Sequence, residues 1–383
     1  MAGDFHPSTH PPLPPTTEDD RVSWLRLLRS RRVGPATFFR LLGECGSPAA
    51  ALEALPGVAA EAGVTDYAPC PSGVALAEIR AARQAGATML CAGDPRYPRD
   101  LLDIADPPPV LWAIGNLSVL DRPLIALVGA RNASSLGTRT ARSMARDLAQ
   151  QGHVIVSGLA RGIDAAAHHA ACDTGTIAVM AGGVDMLYPA ENAELAEALV
   201  THGLRLSEQP MGLQPQARHF PRRNRLVSGM SAAVVVVEAA SRSGSLITAR
   251  NALDQGREVL AVPGHPLDGR SAGCNMLIRD GARLVRDAAD VIEALPPREA
   301  TLPLPLPEPP PRPARDRRSL RETASLHTAI LDRLSPSPVA EDQLIRDLGV
   351  PTNRVTPAIL DLELAGRVLR QAGGMISRLA EAK

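Results

Sequence analysis

Lysine is almost missing from this chain of 383 residues, because Lys383 is the only one. Nearly all the positive charge is arginine, whose planar guanidinium makes bidentate contacts to phosphate and carboxylate. A GC-rich genome is the bland cause, and the effect on contact geometry is the same either way. Aromatic residues make up only 2%, so Ala, Val and Leu must fill the core. Net charge is zero, which excludes a chain-wide attraction to polyanions and leaves room only for a local basic surface. The five cysteines, Cys45, Cys70, Cys91, Cys172 and Cys274, are scattered and form no CxxC. That spacing excludes a disulfide framework and a zinc site and suits reduced cytosolic thiols. No charged-then-apolar signal opens the chain and no apolar run is long enough to span a bilayer. A cytoplasmic protein with no membrane contact and no metal or cofactor is expected.

Pro, Thr and His crowd residues 1–20, which are expected to be a disordered tail. Residues 21–90 form a helical domain, with breaks at Gly34-Pro35, Ser47-Pro48 and Pro56-Gly57. Val33-Gly34-Pro35-Ala36 has the form of a helix–hairpin–helix turn, whose backbone amides can meet a DNA phosphate. A plain helical bundle is the other reading. Short strands are expected over 88–92 and 110–115, leading into the next domain.

Across 91–295, strands and helices alternate with a period near 25 residues. Strands are expected over 124–128, 154–157, 176–180, 204–207, 233–238, 258–262 and 283–285. Helices fall between them, among them 137–151, 163–174 and 222–231. The alternation predicts an α/β fold, an extended Rossmann-like doubly wound sheet with its ligand loops at the carboxyl ends of the strands.

Those loops carry the unusual residues. Gly129-Ala130-Arg131 follows the first strand of the series, Ser157-Gly158-Leu159-Ala160-Arg161-Gly162 the second, and Ser241–Ser245 the fifth. Arg131 stands where a dinucleotide fold keeps a second glycine, and Ser157 replaces the acidic residue that would hold a ribose. The NAD fingerprint is therefore absent. The stretch 219–248 adds Arg222, Arg223 and Arg225 before a buried β-branched strand, then Ser243, Gly244 and Ser245 at a helix start. Bare amides and hydroxyls there suit an anion. The loops read as a phosphate groove formed by Gly129, Arg131, Ser157, Gly158, the arginines and the 243–245 turn. Phe220, next to these arginines, either stacks on a base or packs in the core.

Catalysis finds little support in the residues. His168 lacks partners for a triad or a metal site and reads as a packing or hydrogen-bonding residue. Glu208 and Glu238 end strands at the ligand edge. Acid–base work by the pair is conceivable, but ion pairing to the arginines is the preferred reading.

VGAR (128–131), SGLARGIDAAAH (157–168), Tyr188-Pro189, Ser207-Glu208, FPRRNRLVSG (220–229), VVVEAASRSGSLITA (235–249), AVPG (261–264) and GCNMLIRDGA (273–282) together resemble the DprA (Smf) DNA-processing family. The resemblance runs from about 99 to 295. It implies an extended Rossmann domain that forms a homodimer, a helical domain of the sterile-alpha-motif type before it, and a winged helix after it. It also implies a non-catalytic protein of natural transformation that binds and protects single-stranded DNA and loads RecA recombinase onto it. The family's groove carries over to Arg131, Phe220, Arg222, Arg223, Arg225 and the Ser243–Ser245 turn. Lysine, frequent in that groove, is replaced by arginine here. Exchange of Arg131 or Arg225 for glutamate is expected to weaken single-strand binding without unfolding the chain.

After a proline-rich linker over 296–321, residues 322–383 read as three helices and a hairpin, the order of a winged helix, with Gly349 at the turn between the second and third helices. Arg354, Arg367, Arg370 and Arg378 are candidates for DNA backbone; a protein-contact role is the other reading, and duplex binding stays open. The alternative enzyme class is a nucleoside monophosphate hydrolase of a related Rossmann branch. That branch has PGGxGTxxE at the phosphate loop, whereas this chain has RSGSLITA. A sequence-specific transcription factor is a third option.

Overall fold

The computed structural model describes residues 13–295, 320–371 and 374–379. Two units are divided after residue 298, each with its own core. Residues 1–12 of the tail expected over 1–20, and 296–319 of the linker expected over 296–321, lie outside the described residues.

Four helices open the first unit: α1 (Glu18–Arg29), α2 (Pro35–Cys45), α3 (Pro48–Glu61) and α4 (Ser72–Gln84). A reciprocal cap starts α1: the Thr17 hydroxyl accepts the Asp20 amide at 3.1 Å and the Asp20 carboxylate accepts the Thr17 amide at 3.2 Å. The helix therefore begins inside the stretch expected to be tail. The break expected at Pro56-Gly57 does not occur either, since α3 runs through it. Proline removes one backbone donor there, but Ala51, Leu52, Leu55 and Ala59 bury a full apolar stripe, and packing outweighs local propensity.

A nine-stranded sheet follows. In chain order its elements are β1 (Thr88–Cys91), β2 (Val110–Gly115), β3 (Leu124–Gly129), α5 (Ser135–Gln150), β4 (Val154–Ser157), α6 (Ile163–Ala171), β5 (Thr176–Val179), α7 (Ala193–Ala198) and β6 (Leu204–Ser207). Then come α8 (His219–Gly229), β7 (Ala233–Glu238), α9 (Ser245–Asp254), β8 (Glu258–Ala261), α10 (Ala272–Arg279), β9 (Arg283–Leu284) and α11 (Ala288–Ala294). Across the sheet the order is β1-β2-β6-β5-β4-β3-β7-β8-β9. Strands β3 to β9 run parallel, while β1 and β2 add an antiparallel edge through β6. The first two strands thus belong to the sheet rather than merely leading into it.

Every residue of β7 is buried. Val234 and Val236 join the core on one face, and Ala233, Val235 and Val237 join the core on the other, as a parallel strand covered by helices on both sides requires. The N-terminal helices share the first of these cores through Trp24, Phe38 and Trp112. The Trp24 indole donates to the Pro109 carbonyl at 3.0 Å, and Glu78 accepts both the Trp112 indole at 2.9 Å and Arg29 at 2.7 Å. The scarce aromatics are concentrated where the helical module docks on the sheet edge.

Helix α8 begins at His219, three residues before the expected start. Pro221 falls in its first turn, where a missing N–H costs nothing. Phe220 is therefore a helix residue with fixed direction.

The second unit comprises α12 (Leu320–Arg333), β10 (Val339–Ala340), α13 (Glu341–Leu348), α14 (Thr352–Leu364), β11 (Val368–Gln371) and β12 (Met375–Arg378). Its sheet order is β10-β12-β11, which adds a third strand to the expected hairpin. Gly349 ends α13 at φ 61°, a left-handed turn that favours glycine. Ile330, Leu344, Val355, Ile359, Val368 and Ile376 form the core of this winged helix.

Candidate nucleic-acid interface

Strand β3 has β4 on one side and β7 on the other, so successive crossovers leave it in opposite directions. That is the topological switch point of a doubly wound sheet, where the loops part and leave a crevice. A cleft of about 580 Å³ lies there, walled by the ends of β3, β4 and β7, by α8 and by the start of α9.

The structure brings Gly129, Arg131, Gly158, Phe220, Arg223, Ser243, Gly244 and Ser245 together around this cleft. Arg131 is exposed, and its guanidinium carbon lies 5.2 Å from the centroid of the half-buried Phe220 ring. Cation–π attraction of this kind holds the guanidinium over one face of the ring at the mouth. Tyr188 also neighbours Phe220, with ring centroids 5.9 Å apart. Ser243 and Ser245 hydroxyls bond to each other at 2.7 Å at the start of α9.

Beneath the mouth, α8 and the 157–162 loop lock together. Arg223 is buried and donates to the carbonyls of Gly158 and, at 2.6 Å, of Val179. Burial pulls its guanidinium down to about 10, and Asp164 opposes that shift. A Cβ on Gly158 would overlap the Arg223 guanidinium, so glycine is required for this approach. The buried Asp164 carboxylate accepts the amides of Gly158 (3.1 Å) and Ala160 (3.3 Å), which therefore are not bare amides for an anion. Burial raises the Asp164 pKa, against the pull of Arg223. His168 is fully buried: Nε2 accepts the Leu159 amide at 3.3 Å, and Nδ1 lies 2.8 Å from the Thr176 hydroxyl. That hydroxyl donates to Ile155, so it accepts from Nδ1–H and the ring is neutral. Burial, followed by the charge of Arg223, pushes its pKa down to about 3. His168 thus fixes the loop at Leu159, whose φ is 58°.

Three expected groove residues lie elsewhere. Ser157 is buried and donates to the Leu127 carbonyl at 2.6 Å. Arg225 is buried under the opposite side of α8, bonded to Glu208 at 2.5 Å and 2.9 Å from Asp106. Arg222 is exposed but lines a separate cavity with Glu208, Gly34 and Pro35. Helical phase explains the sorting. From Phe220, positions three, four and seven residues on share a face, and these are Arg223, Asn224 and Val227, all cleft residues. Arg222 and Arg225 point away. Phase counting on the sequence separates these arginines and adds Asn224.

Glu208 does pair with an arginine, but Glu238 does not. Its carboxylate accepts the Ser134 amide at 3.0 Å and the Ser134 hydroxyl at 2.5 Å, securing the start of α5. Gly129 is needed because a Cβ there would lie 2.5 Å from Ile163, so its role is close helix packing. Two exposed cations were missed. Arg242 lines the cleft and has no ion-pair partner among the described residues; it was legible within the 241–245 turn. Arg270 also lines the cleft, 3.2 Å from Asp268, and only its loop position after β8 marks it.

In the winged helix, Arg370 pairs with Glu341 at 3.0 Å and Arg378 donates to the Leu331 carbonyl at 3.2 Å, so these two are engaged internally. Arg354 and Arg367 are exposed. No cluster of metal-ligating side chains occurs among the described residues, and no helix described is long and apolar enough to cross a membrane.

Comparison with known proteins identifies the family of all three parts of the chain. The family model described as DNA recombination-mediator protein A matches residues 88–296. A DprA-like N-terminal HHH domain matches 18–81, and a DprA winged helix domain matches 308–374. The chain is 43% identical over 223 residues to the DNA processing protein DprA of Bacillus subtilis (strain 168), covering 57% of this chain and 75% of that one. The X-ray structure of DNA processing protein A from Streptococcus pneumoniae superposes with a TM-score of 0.57 at 37% identity, over 67% of this chain and 86% of that one. A Helicobacter pylori structure, described for the single-stranded DNA binding mode of DNA processing protein A, gives a TM-score of 0.50 at 30% identity, over 54% and 94%.

Proposed function

Since the chain belongs to the DNA recombination-mediator protein A family, we propose that it binds single-stranded DNA in the switch-point cleft and hands it, protected, to a RecA-type recombinase during natural transformation. The single observation that carries this reading is the pairing of Arg131 with the half-buried Phe220 ring at the cleft mouth. A backbone-tracking groove needs a cation for phosphate and an aromatic face for a base, and these two side chains supply both at one point. Arg242 and Arg270 extend the positive rim. The relative from Helicobacter pylori, described for its single-stranded DNA binding, supports the same ligand class.

The proposed role breaks no bond. Acidic side chains beneath and beside the cleft are engaged: Asp164 by two amides, Glu238 by Ser134 and Asp268 by Arg270. His168 is neutral and buried. Action as a homodimer in the cytoplasm completes the proposal. Its test is a gel shift of the full chain on oligothymidylates of graded length, beside an assay of base release from nucleoside monophosphates. Length-dependent binding without base release is expected. Efficient turnover, or no binding at low ionic strength, overturns it.

A further inference from the structure

Tyr188-Pro189 is a motif that the cleft described above leaves unused. Tyr188 is 49% exposed, in a chain with only three tyrosines, four phenylalanines and two tryptophans. Its ring lies 5.9 Å from that of Phe220, tilted by 57°. Phe220 and Arg131 line two compartments at once. One is the 580 Å³ cleft; the other is a neighbouring hollow of about 370 Å³ with Tyr188, Pro189, Arg161 and Glu191 around it. Arg161 and Glu191 pair at 3.6 Å with both side chains largely exposed, so the rim of this hollow is polar and wet.

We infer that Tyr188 is a second stacking platform, holding the base adjacent to the one on Phe220, with Arg131 between the two compartments serving the intervening phosphate. The inference rests on the single-strand reading of the cleft and deepens it to two consecutive nucleotides. An apolar ring half in water is an unfavourable place for one of so few aromatics unless a partner covers it. A nucleobase fits the requirement: every base has a flat face, and stacking on protein aromatics tolerates any sequence. The tilt between the rings means that the two bases are splayed rather than stacked on each other. The strand therefore turns as it passes Arg131.

The test uses the full chain and fluorescence anisotropy with an oligothymidylate of about 16 nucleotides. Tyr188→Leu fills the space without a π-face, and Tyr188→Phe keeps the ring. Tyr188→Leu lowers affinity about tenfold with an unchanged slope of log affinity against log salt, because stacking releases no counterions. Tyr188→Phe retains affinity within about twofold. In a Phe220→Leu background, Tyr188→Leu still costs about fivefold or more if each ring carries its own base. Loss confined to the Phe220 background, with no further effect of Tyr188→Leu, makes Tyr188 a mere prop for Phe220 and overturns the inference. Unchanged binding by Tyr188→Leu also overturns it. If Phe220→Leu and Arg131→Glu bind like the parent as well, the cleft reading itself fails, and the two failures are told apart.

Discussion

The Arg131 guanidinium stands 5.2 Å from the centre of the Phe220 ring, where the loop after β3 meets α8 at the cleft mouth. Phe220 neither packs fully in the core nor stands free; it is half-buried. Phe220→Leu is expected to cost about 1 kcal/mol of stability or less, because much of the ring is already in water. The same change is expected to weaken single-strand binding about tenfold. Urea unfolding and anisotropy on the same preparation separate the two effects. Loss of stability without loss of binding assigns Phe220 to the core.

Arg225 behaves differently from Arg131 because it is inside. Arg225→Glu puts a third carboxylate beside Asp106 and the buried Glu208 and is expected to cost about 3–5 kcal/mol of folding free energy. Circular dichroism melting checks this directly. A folded Arg225→Glu protein with normal stability and weak binding would restore Arg225 to the groove.

Gly158→Ala is expected to expel Arg223 from its seat on the Gly158 and Val179 carbonyls. Overpacking at such a site costs about 1–3 kcal/mol. Urea midpoints for Gly158→Ala and Arg223→Ala should then fall together, and the double variant should lose less than the sum, since both act on one contact. Full additivity contradicts the shared seat.

Much of this architecture was readable in advance, and the reasons are local. A β-branched run with no polar residue until Glu238 can only be a strand buried on both faces, and Gly349 can only mark a turn that favours positive φ. The arginines of FPRRNR were harder. All three look alike in sequence, and their roles separate only once the helix start and phase are fixed from Phe220. The sequence does not show the partner of Glu238, because Ser134 is 104 residues away and carries no charge. Pro56 does not break α3, because a helix break is a local preference while the apolar stripe of α3 is satisfied by distant partners.

His168 predicts a pH dependence. Burial pushes its folded pKa down to about 3 from the usual 6.5 of a free histidine. Above pH 6.5 both states are neutral there, and the contribution to stability is complete. As pH falls from 6.5 toward 3, the unfolded chain takes up a proton that the buried ring refuses, so stability declines. Asp164, whose pKa is raised, works in the opposite sense: its contribution is present at low pH and fades as pH rises. Comparing the parent with His168→Gln isolates the imidazole. The parent's urea midpoint should drop more steeply between about pH 7 and pH 5 than the variant's. Parallel curves contradict a buried neutral histidine.

The most direct measurement is a salt titration of single-strand binding by the full chain and by Arg131→Glu, both confirmed folded. The predicted result is a variant that binds at least tenfold more weakly at low salt, with a slope of log affinity against log salt shallower by about one. Identical affinity and identical slope would remove Arg131 from the phosphate path and with it the cleft as the DNA site.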